Sequence, residues 1–366
     1  MRVGLVCPYS LSLPGGVQGQ VLGLARALRA QGHDARVLGP CDGPPPETGV
    51  IPLGDTVATL ANGSVAPLAP DISCVLRTIR ALRDEDFDVI HLHEPLAPGP
   101  TLTSVVFAST PLVGTFHAAG TSAAYFYLRP LTRWLGRQLS IRCAVSEDAR
   151  GMASRALGGE YVLMHNGIDI ERFAKADVWP TEAPTVLFVS RHESRKGLAV
   201  LLDALPFLPD DVRLWIASDG PETARLRAQF AADARLEWLG RITEEEKAQR
   251  LRTADVLCAP SLGGESFGMV LLEGMASQTP IVASDLPGYR NVARHEKEAL
   301  LVPPGDSRAL GAAIRRVLDE PLVKASLIAG GDARAMEFSM DRLAERYLEL
   351  YERAARRSGL EVDNNT

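Results

Sequence analysis

Residues 185–197 read TVLFVSRHESRKG: an apolar run of strand character that passes directly into a loop carrying Arg191, Arg195 and Lys196. A short continuous apolar run bounded by proline on one side and polar residues on the other suits a strand buried on both faces of a parallel sheet. Its place in the chain decides the fold, because it restarts a rhythm already heard once. Upstream, RVGLVC (2–7), ARVLGP (35–40), DVIHLHEP (88–95), PLVGTFH (111–117) and IRCAVS (141–146) are strand-like runs. Stretches of helical length, GVQGQVLGLARALRAQGH and DISCVLRTIRALRDED, lie between several of them. Downstream of 185–190 the series continues with VRLWIAS (212–218), RLEWLG (235–240), DVLCAPS (255–261), TPIVAS (279–284) and ALLVPP (299–304). Strands alternating with helices signal βαβ units and a parallel sheet, so two series predict two doubly wound α/β domains. The polar, proline-containing stretch 169–184 is expected to be the hinge between them.

Size and composition agree. A chain of 366 residues is too long for one ordinary core, and 46% hydrophobic with 23% charged residues is a globular composition. A formal charge of −6 argues against a nucleic-acid partner, which calls for a strongly basic balance. The five cysteines, Cys7, Cys41, Cys74, Cys143 and Cys258, are scattered singly without paired spacing, so they read as reduced, mostly buried thiols rather than disulfides or zinc ligands. No apolar run reaches the roughly 18–20 residues of a membrane span, and MRVGLVCPYS does not resemble a signal peptide. A cytoplasmic protein is the expectation.

Open parallel sheets bind ligands beyond the carboxyl ends of their strands. Arg191, Arg195 and Lys196 follow a strand there, and a guanidinium fork beside a compact ammonium suits a diphosphate. After the first strand, Pro14-Gly15-Gly16 precedes a helix whose amide groups could approach phosphates; the absence of a G-x-G-x-x-G pattern speaks against a nicotinamide enzyme. His117 ends its strand and is a ligand-contact candidate. His91 and His93 alternate onto one strand face, but without a third ligand in spacing they read as hydrogen-bonded strand-end histidines, and no metal site is expected. In SLGGESFGMVLLEGM (261–275), a helix from Phe267 would put Glu265 beside its free N–H groups and Glu273 a little over two turns further along roughly the same face, at about 3.6 residues per turn. The closing SMDRLAERYLELYERAARR (339–357) is an amphipathic helix through Leu343, Tyr347, Leu350 and Tyr351. Its periodicity alone would suit a cap on the second domain.

Taken together, GGESFGMVLLEGM with Glu265 and Glu273, Arg191 with Lys196-Gly197, HNGID (165–169) and Gly15-Gly16 resemble the retaining GT-B glycosyltransferases that use nucleotide sugars. MRVGLVCPYS, PGGVQ, NGSVA (62–66), DFDVIHLHEP, SLGGESFG and VASDLPGYR are similar in particular to the actinobacterial phosphatidylinositol mannosyltransferases. The resemblance implies a GT-B fold: two Rossmann-like domains facing across a cleft, 1–168 for acceptor and membrane and 169–339 for the nucleotide sugar, with 340–366 crossing back to the first. It implies transfer of mannose from GDP-mannose to the inositol ring of phosphatidylinositol, or of another hexose to another lipid or soluble acceptor on the same fold, with no metal required. Glu265 would contact the sugar and Glu273 the ribose, with the amides of Phe267 and Gly268 serving hydroxyls between them. Arg191, Lys196 and Gly16 would meet the diphosphate, Ile242 and Lys247 the nucleoside, and His117 the transferred mannose. Tyr9, Gln18 and Asn62 would line the inositol site. A membrane-binding helix would fall at APDISCVLRTIRALRDED, with Arg77, Arg80 and Arg83 toward anionic headgroups on the inner face of the plasma membrane and Ile72, Val75, Leu76, Ile79 and Leu82 as its apolar side.

Overall fold

The computed structural model describes residues 1–13, 15–61, 64–117 and 129–363. The chain divides into two compact units, Met1–Gly167 with Met340–Thr366, and Ile168–Ser339.

The first unit is built on β1 (Arg2–Val6), β2 (Asp34–Gly39), β3 (Val50–Pro52), an antiparallel pair β4 (Val57–Ala61) and β5 (Ser64–Leu68), then β6 (Val89–His93), β7 (Leu112–Phe116), β8 (Ile141–Ala144) and β9 (Val162–Leu163). All except the β4–β5 pair form one parallel sheet in the order β3-β2-β1-β6-β7-β8-β9. Alternate residues supply its two faces. Val3, Leu5, Val89 and Val113 pack under the Gly16–Ala30 and Met340–Asp363 helices, while Val6, Ile90, Leu92 and Phe116 face the layer that includes Ile72–Asp84, Pro100–Phe107 and Glu147–Leu157. This period of two explains why β6 and β7 are buried throughout. The Met340–Asp363 helix belongs to this unit, where Leu343, Tyr347, Leu350 and Tyr351 are buried against the first helix rather than capping the second unit.

The second unit carries β10 (Thr185–Val189), β11 (Arg213–Ala217), β12 (Leu236–Gly240), β13 (Val256–Ala259), β14 (Ile281–Ser284) and β15 (Leu300–Val302), all parallel, in the order β12-β11-β10-β13-β14-β15. The first strand therefore lies in the middle and the strand order reverses between β10 and β13. That reversal opens a crevice at the carboxyl ends of those two strands. The 169–184 stretch packs into the second unit. Asp169 caps the Ile170–Ala174 helix, Phe173 is buried in the core, and Trp179 lies against the Arg250 guanidinium at 4.1 Å. All five cysteines are free and buried.

Candidate functional site

The strand reversal in the second unit brings together the loop after β10, with Arg191, Glu193, Arg195 and Lys196, and the loop after β13, with Ser261 and Glu265. The two loops touch at Gly197, whose φ of +71° favours glycine and where a Cβ would lie 1.9 Å from the Pro260 carbonyl oxygen. A cavity of about 150 Å³ opens there, lined by Ser190, Lys196, Ser261, Glu265, Met269 and Tyr289 among others.

Lys196 Nζ lies 2.6 Å from Glu265 Oε1, and Ser261 Oγ donates to the same oxygen at 2.8 Å. The Ser261 hydroxyl is also 3.0 Å from the Tyr289 phenol, whose pKa burial pushes well up, with the Glu265 charge adding to the effect. Gly288 lets the following segment close on this loop, since a Cβ there would lie 1.9 Å from the Glu265 carbonyl oxygen. Glu265 is thus fixed by a cation and a hydroxyl rather than by the amides of the Met269–Ala276 helix, whose first turn carries no acidic side chain. That helix starts later than its sequence suggests. Gly268 caps it at φ +93°, and Phe267 precedes it, buried and edge-on to Phe338. The Phe267 ring is core, so any contact of Phe267 with a ligand is through its backbone.

Glu273 belongs to a separate network. Lys247 Nζ sits 2.9 Å from Glu273 Oε1 and 2.9 Å from Glu244 Oε2, and Arg172 reaches Glu244 at 3.1 Å. Burial pulls the Lys247 pKa down, but Glu273 and Glu244 outweigh it and the net displacement is upward, so the ammonium stays charged. Ile242, half-buried, lies just before Thr243, the cap of the Glu244–Thr253 helix that carries Lys247. Arg191 and Arg195 divide the two oxygens of Glu193 between them, at 2.7 and 2.8 Å. Glu265 and Glu273 therefore serve different cations, and Glu193 tethers two of the three basic residues of the loop.

In the first unit the strand order also reverses, between β1 and β6, and the described residues directly after β1, β6 and β7 lie at the carboxyl edge of the sheet. His117, directly after β7, is half-buried; its backbone N–H donates to Glu94 Oε1 at 2.7 Å and its Nε2 lies 2.9 Å from His93 Nδ1. Burial pulls its pKa down to about 4. His91 contacts Tyr351 and Thr115 instead, at 2.8 and 2.7 Å, and among the described residues no group of three or more His, Cys, Asp and Glu could hold a metal. Tyr9 follows β1 and bridges by its backbone to Leu68 of β5. Gly16 is exposed at the start of the first helix, where an added Cβ would meet nothing within 4 Å. Gln18 is buried, with its amide nitrogen committed to the Ser10 carbonyl at 3.2 Å, so in this structure it braces the loop. Asn62 lies outside the described residues.

Two family models cover most of the chain: "Glycosyltransferase Family 4" matches residues 14–172 and "Glycosyl transferases group 1" residues 183–320. Over 97% of each chain it is 40% identical to the phosphatidyl-myo-inositol mannosyltransferase of Mycobacterium leprae. The chain belongs to the phosphatidyl-myo-inositol mannosyltransferase family. The enzyme of that name from Propionibacterium freudenreichii is 36% identical over 88% of this chain and 87% of its own. The fold is shared more widely: the crystal structure of Anabaena HepE with UDP and glucose superposes with a TM-score of 0.75 at 20% identity, covering 96% of this chain and 99% of that one. The chain is thus a GT-B glycosyltransferase, with two Rossmann-like parallel-sheet units.

Sequence reasoning had passed over Ser261, Tyr289, Glu193 and Glu244. Ser261 and Tyr289 stand inside motifs it had quoted, but a hydroxyl pointing at a carboxylate leaves no periodicity to detect. The inner side of the helix Ile72–Asp84 was likewise not read from the sequence. Arg77, Arg80 and Arg83 are exposed, Arg80 pairing with Asp84 at 3.2 Å, yet the side facing the core is Cys74, Thr78 and Ala81. Of the expected apolar side, Ile72 is 78% and Leu76 62% exposed, and Val75, Ile79 and Leu82 are partly buried. No described helix is long and apolar enough to cross a membrane.

Proposed function

We propose that this chain transfers mannose from GDP-mannose to the inositol ring of phosphatidylinositol, with retention at the anomeric carbon, the first step of phosphatidylinositol mannoside synthesis. The observation that carries the reading is near full-length likeness, at 40% identity, to an enzyme named for that transfer. The second unit supports it with a basic loop beside a fixed carboxylate. Lys196 and Arg191 meet the diphosphate as charge develops on it, Glu265 and the backbone after it hold sugar hydroxyls, and Glu273, Lys247 and Ile242 hold the nucleoside end. The acceptor hydroxyl attacks from the face the diphosphate leaves, and the departing phosphate oxygen takes its proton. Gly16, His117, Tyr9, Gln18 and Asn62 are the first unit's proposed contributions, Gln18 by shaping the loop. A panel of sugar nucleotides assayed with phosphatidylinositol and with free inositol tests the assignment. GDP-mannose with the lipid is expected to turn over fastest; preference for another hexose donor, or for free inositol, would refute it.

Transfer is expected to continue in EDTA, because side-chain cations rather than a divalent ion neutralise the leaving group. Loss of activity in EDTA that Mg²⁺ or Mn²⁺ restores would reverse that statement. The proposed site of action is the inner face of the plasma membrane, where the enzyme is peripheral. Exposed Ile72 and Leu76 beside Arg77, Arg80 and Arg83 support contact through the Ile72–Asp84 helix. Asp84, Glu85 and Asp86 at its end oppose anionic lipid, so binding should be reversible and salt-sensitive. Co-sedimentation with anionic but not neutral vesicles at low salt is expected, and its loss on replacing the three arginines with serine. Equal binding of that variant and the wild type would move the contact elsewhere.

A further inference from the structure

The end of β6 grips His117 at two points. Glu94 takes its backbone N–H, and the preceding residue, His93, meets its ring. Glu94 itself stands at φ +51°, a left-handed conformation that a residue other than glycine seldom holds without a local reason. The His93 ring is almost fully buried, and its Nε2 has no hydrogen-bond partner among the described residues. Its neighbour His91, with ring centroids 4.2 Å apart, cannot serve, since both His91 nitrogens are engaged by Tyr351 and Thr115.

The 2.9 Å contact between His93 Nδ1 and His117 Nε2 holds one proton, and burial pulls the pKa of both rings down, so both are neutral. Two arrangements remain. If His117 donates from Nε2, the proton of His93 must sit on Nε2, where it is a buried N–H with nothing to bond. If His93 donates from Nδ1, its Nε2 is a lone pair. Orphaned buried N–H groups are the rarer of the two defects, which selects the second arrangement.

We infer that His93 is a positioning residue for the transfer: by donating from Nδ1 to His117 Nε2 it fixes the His117 proton on Nδ1, so that His117 offers the bound hexose an N–H donor and not a lone pair. The inference rests on the proposed contact of His117 with the transferred sugar. It also gives a role to a buried histidine that touches no substrate.

Nitrogen-15 spectra of the histidine side chains in the full-length protein, with His117 assigned by its loss in His117→Gln, report the tautomer directly. The wild type is expected to carry the His117 proton on Nδ1. His93→Phe removes the donor and is expected to lower kcat roughly ten- to hundredfold, the range for partners that orient a functional histidine, with donor KM within about twofold. His93→Asn places an amide N–H where Nδ1 stood and should restore both the tautomer and most of kcat. A wild-type His117 protonated on Nε2 overturns the inference without any variant having to fold. So does a His93→Phe enzyme with unchanged kcat, or a His93→Asn enzyme as slow as His93→Phe. His117→Ala with wild-type turnover would instead remove the sugar contact itself, and the role of His93 with it, whatever the tautomer.

Discussion

Lys196→Ala is expected to lower kcat by at least about a hundredfold, the loss typical when a group that meets developing transition-state charge is removed. Two effects add in the same direction. On the proposed reading the diphosphate loses a cation as it leaves, and Glu265, held by Lys196 at 2.6 Å and only 12% exposed, is left with the hydroxyls of Ser261 and Tyr289 in place of its cation. A carboxylate stripped of its counter-ion then repels the anion that Lys196 would have drawn in. Lys196→Ala combined with Glu265→Gln should therefore be less damaging than the product of the single losses, because residues in direct contact do not contribute independently. Arg191→Ala is expected to reach the same hundredfold floor. Glu193, one of its partners, retains Arg195, so that carboxylate is not orphaned. Near-normal turnover in both single variants, measured at saturating donor, would remove the second unit's basic loop from the mechanism.

What the sequence disclosed follows from which forces leave a periodic trace. Eleven of the strands were legible as largely apolar runs, most of them because a strand covered on both faces must be apolar. β3 and β9 were not, being three and two residues long. The β4–β5 pair was missed although Asn62-Gly63 between two runs of strand-forming residues is the dipeptide that hairpins favour. The inner side of the Ile72–Asp84 helix was not legible for a definite reason. It packs closely on Pro100–Phe107, and close helix contacts select small residues over large apolar ones. Thr78, Thr103 and Ser104 can be buried there because each hydroxyl donates to a carbonyl one turn back, at 2.7, 2.8 and 2.8 Å. Hydrophobicity alone could not have placed a threonine inside and Ile72 outside. In the candidate site, charge type and strand-end position singled out Arg191, Lys196 and Glu265. The Lys196–Glu265 pairing depends on a contact across 69 residues that Gly197 permits, and a reading by spacing sees no such contact.

The separation of the two glutamates sets up the second large effect. Glu273→Gln is expected to raise the KM for the nucleotide sugar about ten- to hundredfold while kcat moves little, since a hydrogen bond to a charged group contributes about 1.5–3 kcal/mol and Glu273 is proposed to hold the nucleoside end, away from the bond being broken. The substitution preserves shape and a hydrogen-bonding end, so the change isolates charge. Lys247 does not become an orphan, because Glu244 remains 2.9 Å from it and is itself braced by Arg172. Thermal stability should accordingly change little, which distinguishes a binding defect from a folding one. Glu265→Gln should show the opposite split, with kcat falling more than KM rises, because its carboxylate, paired with Lys196, is proposed to meet the reacting end. The decisive measurement is the pair of KM and kcat values for each variant, with melting temperatures alongside. If Glu273→Gln lowers kcat as severely as Glu265→Gln and leaves KM alone, the two carboxylates do not hold opposite ends of the donor.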